Sequence, residues 1–137
     1  MEILPEVEAA IQEITEGYAD ADVSAVPDGQ GGAYVTVDPV NFGSQYTPSA
    51  GWIKFNITFQ YPTADVYPHF IPPEIVRKDG VVIPGQPLGE ATSLGTCAYS
   101  GVGVPAIQIS RRSNGLNPAT DTAALKLEKV LVWLRSR

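Results

Sequence analysis

Twelve prolines and thirteen glycines interrupt this chain of 137 residues, and where they fall decides what it can build. Proline fixes φ and removes a backbone donor, and glycine weakens regular elements, so long helices fit only into the stretches near the two ends that are free of both. Short strands and loops are expected between them. A chain of this length supports one hydrophobic core, and residues 1–137 are read as a single domain. With 44% apolar and 18% charged residues, the composition is that of a globular protein and excludes disordered, coiled-coil and collagen-like chains.

At the first end, Leu4, Val7, Ile11, Ile14 and Tyr18 recur at spacings of three and four, the pattern of an amphipathic helix with Pro5 in its first turn and Gly17 near its end. At the other end, Ala123 or Ala124, Leu127, Val130 or Leu131 and Leu134 form a second apolar stripe. That helix is expected to start near Pro118 with Asn117 as N-cap, and Arg135 and Arg137 suit the negative end of its dipole.

Between the helices, Val23, Val26, Tyr34, Val35 and Val37 favour strands, and Pro27-Asp28-Gly29 with Gly31-Gly32 signals a hairpin. From Trp52 onward, Trp52, Lys54, Asn56 and Thr58 alternate with Ile53, Phe55, Ile57 and Phe59, which predicts a half-buried strand. Glu74-Ile75-Val76 reads as a short strand closed by Lys78-Asp79-Gly80. The stretch 81–117 shows little periodicity and is expected to be a long irregular segment, of the kind that carries function in small domains. The predicted fold class is α+β, with both helices packed on one face of an antiparallel meander of about four strands.

The chain has one histidine, His69, and one cysteine, Cys97. They cannot supply an internal disulfide or a structural zinc site, and neither a metal nor a cofactor is expected. Phosphate-binding glycine loops and a G-x-S-x-G elbow are absent. The net charge of −6 argues against a nucleic-acid partner. No apolar run is long enough for a membrane span, and the start, Met-Glu-Ile-Leu-Pro-Glu, does not read as a signal peptide, so a cytoplasmic location is expected.

Charge is distributed unevenly. Residues 1–53 hold nine acidic residues and no lysine or arginine, whereas 54–137 hold nine basic and six acidic residues, or −9 against +3. Glu6, Glu8 and Glu13 on the first helix therefore either present an acidic surface to a basic partner or form a solvated face.

The densest local constraint is Tyr67-Pro68-His69-Phe70-Ile71-Pro72-Pro73-Glu74-Ile75. Three prolines in six residues make a rigid, extended corner, with Tyr67 and Phe70 as packing anchors. As a pattern, Y-P-x-x-x-P-P-x-I resembles the signature of the ubiquitin-conjugating enzyme superfamily, which includes the non-catalytic RWD domains. Upstream, Tyr46-Thr47-Pro48-Ser49-Ala50-Gly51-Trp52 followed by Ile53-Lys54-Phe55-Asn56-Ile57-Thr58-Phe59 resembles the turn and strand that precede this motif in the family. Downstream, Leu116-Asn117-Pro118 resembles its W-S-P segment. The stretch Gln108-Ile109-Ser110-Arg111-Arg112 is similar to diverged bacterial members.

The resemblance implies a carrier of a ubiquitin-like modifier. It would accept the modifier from an activating enzyme as a thioester on the cysteine between the two motifs, here Cys97 in Leu94-Gly95-Thr96-Cys97, and pass it to an amine of a target protein. The family's His-Pro-Asn is missing; the corresponding stretch reads Val82-Ile83-Pro84-Gly85-Gln86. Asn114 or Gln108 would then supply the amide that steadies an oxyanion. Cys97 lies 19 residues before Leu116. Without an insertion in that interval the equivalent position falls near Ser110, an alternative nucleophile that would carry an oxyester. Arg111 and Arg112 are either solvated loop charges or contacts to the modifier. His69 is either a packing residue or a proton shuttle to Cys97. A binding-only domain of the RWD or conjugating-enzyme-variant type is the alternative, and a thiol buried against the sheet would favour it.

Overall fold

The structure is a computed structural model that describes residues 2–80, 92–97, 103–111, 113 and 115–136. Helix α1 spans Pro5–Gly17, with Val7, Ala10 and Ile14 buried and Glu6 and Glu8 in its first turn, where acidic groups favour the helix dipole. Leu4, its N-cap, has no side-chain cap to offer, but its backbone N–H donates to Gly31 O at 2.9 Å and pins the helix to the first hairpin turn.

That hairpin joins β1 (Asp22–Pro27) and β2 (Ala33–Asn41). Asp28 organises the turn: its Oδ1 accepts from Gln30 N at 2.8 Å and Gly32 N at 3.0 Å, and its Oδ2 from Asn56 Nδ2 at 3.2 Å. Gly29 and Gly31 take positive φ values of 83° and 98°, which glycine adopts without steric cost. At Gly32 the constraint is space, since a Cβ would stand 2.3 Å from Ile57 O.

Strand β4 (Ala50–Ile57) buries Ile53, Phe55 and Ile57 and leaves Trp52, Lys54 and Asn56 partly exposed, the alternation expected from its sequence. Phe59, expected on the buried face, lies beyond the strand and is 48% exposed. Two short strands, β3 (Tyr46–Thr47) and β6 (Val76–Arg77), pair with each other outside the main sheet. The proline segment is not only a corner: between Pro68 and Pro72 it forms strand β5 (His69–Ile71), which pairs with β4 and continues the meander.

The 81–117 segment differs from the expectation. It contains β7 (Thr92–Cys97) and β8 (Val104–Ile109), an antiparallel pair whose inner strand bonds β5. The main sheet is therefore six-stranded, in the order β1-β2-β4-β5-β8-β7, rather than a four-stranded meander. β5 otherwise leaves a row of unpaired backbone groups at the centre of the domain, and β8 satisfies them. The weak local pattern was overridden by this tertiary pairing. Residues 81–91 lie outside the described residues.

Helix α2 spans Ala123–Arg135 and packs with α1 over one face of the sheet; Ala123, Leu127, Val130, Leu131 and Leu134 are all buried. Its N-cap is Thr122, whose Oγ1 accepts from Leu125 N, not Asn117. Asn117 closes a local turn instead, its Oδ1 accepting from Ala119 N at 3.0 Å while its own N–H donates to Asp121 Oδ2 at 2.7 Å. Asparagine favours such turns over helix, so the helix begins one turn later.

The other end of α2 is capped by the side chains of Gln45 and Tyr46, at the start of β3. Tyr46 Oη donates to Leu134 O at 2.7 Å, and Gln45 Nε2 donates to Arg135 O at 2.9 Å, satisfying carbonyls that have no partner within the helix. Tyr46→Phe is expected to lower the unfolding free energy by about 1 kcal/mol, the usual net worth of a buried hydrogen bond. Urea denaturation reads this directly, and an unchanged midpoint would show that Gln45 alone suffices. No helix among the described residues is long and apolar enough to cross a membrane.

Candidate functional site

Cys97 ends β7, directly opposite Val104. Its side chain is 1% exposed and packs in a small cluster with Phe70, Ala106, Trp52 and Val104. None of these belongs to a helix. Because side chains alternate along a strand, Phe70 points away from the helices while its neighbours His69 and Ile71 point towards them. Ile71 lies in the main core, and the His69 ring packs against Phe55 at 5.1 Å between centroids. Cys97 and His69 therefore occupy opposite faces of the sheet, which leaves no direct path for a proton between them. The thiol is a packed side chain on the sheet face away from the helices, the placement that favours the binding-only alternative.

Ser110 follows β8, is exposed, and accepts from Gln108 Nε2 at 3.0 Å. That bond engages the Gln108 amide and brings no base to the hydroxyl. Arg111 is tethered, its guanidinium 4.7 Å above the Trp133 ring. Asn114 and Arg112 lie outside the described residues. Glu6, Glu8 and Glu13 are all exposed on α1, and Glu13 also accepts from Thr122 Oγ1 at its Oε1, at 2.8 Å, joining α1 to the N-cap of α2.

The structure also assembles a polar cluster that the sequence reading missed. Lys126 lies on the buried side of α2 and donates from Nζ to both Asp65 oxygens at 3.1 Å and to Ser113 Oγ at 3.0 Å. Ser113 donates to Asp65 from its backbone N at 2.6 Å and its Oγ at 2.9 Å. Tyr61, Leu116, Thr122 and Leu125 line the recess around the trio. One signal was legible, a lysine among the apolar positions of the last helix; its partners lie 61 and 13 residues away, beyond any local pattern.

Electrostatics hold the cluster in one protonation state. Burial pushes the Asp65 carboxyl up, but the bonds from Ser113 and Lys126 outweigh it and hold the group below the ordinary carboxylate range. Lys126 Nζ spends its donors on three acceptors, and the Ser113 hydroxyl donates to Asp65, a carboxylate held below its ordinary range and therefore a weak base for that proton. The trio acts as a clamp that ties the loop before β5 and the segment after β8 to α2. Burial, and then the Lys126 charge, push the His69 imidazole down to about 3 against the opposing pull of Asp65, so His69 is neutral and its Nε2 has no partner among the described residues.

Among the described residues, no three His, Cys, Asp or Glu side chains are grouped as metal ligands. No protein family, no curated protein and no solved structure matches the chain.

Proposed function

We propose that this protein is an interaction domain, built on a frame resembling the RWD and conjugating-enzyme-variant domains, that binds a partner protein rather than carrying a modifier on Cys97. The burial of the thiol supports this reading. Thioester exchange needs a thiolate that a second protein can reach, and Cys97 is 1% exposed on the face opposite the chain's single histidine. A buried cysteine in an apolar cluster behaves as a small hydrophobic side chain.

The test is thiol labelling of the native protein with an aromatic disulfide reagent. Cys97 is expected to react at least about a hundredfold more slowly when folded than in denaturant, because reaction then waits on local or global opening. Labelling at the free-thiol rate would overturn the proposal. So would a reductant-sensitive adduct with a ubiquitin-like protein, formed with an activating enzyme and ATP and lost in Cys97→Ala. A reductant-resistant, hydroxide-labile adduct lost in Ser110→Ala would transfer the chemistry to Ser110.

A further inference from the structure

Strand β1 forms one edge of the six-stranded sheet. It pairs with β2 on one side, and no described backbone group bonds its other side. Asp22, Ser24 and Val26 are exposed, Val26 to 54%, while Val23 and Ala25 are half-buried against the core. An edge of this kind can accept a further strand through its main-chain groups.

Charge selects the occupant. Asp22 stands directly opposite Asp38 in the β1–β2 register, and both are exposed. Like charges directly opposite on adjacent strands destabilise the pair, and neither carboxylate has an ion-pair partner among the described residues. Asp20, also exposed, adds a third negative charge two residues before the strand position of Asp22. No lysine or arginine precedes Lys54 in the chain. Folding thus leaves a repulsion that an incoming basic side chain relieves. A second copy of this chain would bring the same carboxylates to the seam, together with Pro27, which has no N–H to give.

We infer that the β1 edge binds an extended, lysine- or arginine-bearing segment of a partner protein as an added strand, its basic side chains seated over Asp22 and Asp38. The inference rests on the interaction-domain reading and names the chemistry of its partner.

The experiment uses the full chain, isotopically labelled for NMR, and a synthetic peptide alternating lysine with valine. Binding is expected to shift the amide signals of 22–26 and to slow hydrogen exchange along β1. Asp22→Asn with Asp38→Asn removes two exposed like charges, so it should fold at least as well as the parent and bind about tenfold more weakly. A peptide with alternate backbone amides methylated keeps its charge but cannot pair as a strand, and should lose binding. Four results would overturn the inference: no binding at millimolar peptide, equal binding by the methylated peptide, shifts confined to the α1 glutamates, or a dimer of the chain that excludes the peptide. If any of these occurs while Cys97 stays protected from labelling, the β1 assignment fails alone; rapid labelling would undo the reading beneath it.

Discussion

Replacing Lys126 with methionine is expected to lower the unfolding free energy by about 3 kcal/mol, because it strands the Asp65 carboxylate without its counter-charge. The ammonium side chain is 8% exposed and the carboxylate 19%, so neither is deeply solvated once its partner is gone. The expected loss stays at the low end of the range for buried pairs because Ser113 still donates two hydrogen bonds to Asp65. Asp65→Asn in the parent should be comparably harmful, since it leaves the ammonium unpaired. The double variant should lose less than the sum of the two singles, about 3–5 rather than about 6 kcal/mol, the two changes being coupled by about 1–3 kcal/mol. Urea unfolding of the four proteins closes the cycle. If Lys126→Met unfolds within about 0.5 kcal/mol of the parent, the range of ordinary surface substitutions, the clamp holds nothing together.

This cluster also marks where sequence reading stops. The elements with strong local periodicity, α1, the β1–β2 hairpin and the β4 alternation, were legible because each buries one face and writes that face into its own spacing. Strands β7 and β8 were not. Their pairing depends on the free edge of β5, a tertiary fact, and glycines and prolines mask their alternation. The displaced start of α2 has a different cause: Asn117 suits both an N-cap and a turn, and Asp121, four residues on, decides between them by accepting its N–H. As for the candidate site, the resemblance directed attention to Cys97, but nothing local records which face of a sheet a residue occupies when the strand itself goes unrecognised.

Stability should fall by about 2 kcal/mol between pH 7 and pH 5, through His69 alone. In the unfolded chain its imidazole titrates near its ordinary value of about 6.5, while in the folded protein burial beside Lys126 brings it down to about 3. Below the unfolded value the unfolded chain takes up a proton that the folded chain refuses. The neutral ring's contribution is therefore fully present above about 6.5 and lost progressively as the pH drops towards 3. Asp65, whose carboxyl is held below its ordinary value of 3.8, contributes with the same sign but only in more acidic solution, so the two windows separate. His69 is the only histidine in the chain, which makes the assignment clean: His69→Phe should flatten the profile between pH 7 and 5 whatever it does to absolute stability. In the folded parent, the imidazole carbon-bound proton signals should not titrate over that interval. If they shift with a midpoint near 6.5, the ring is solvated, and its placement between Phe55 and the core strands is refuted.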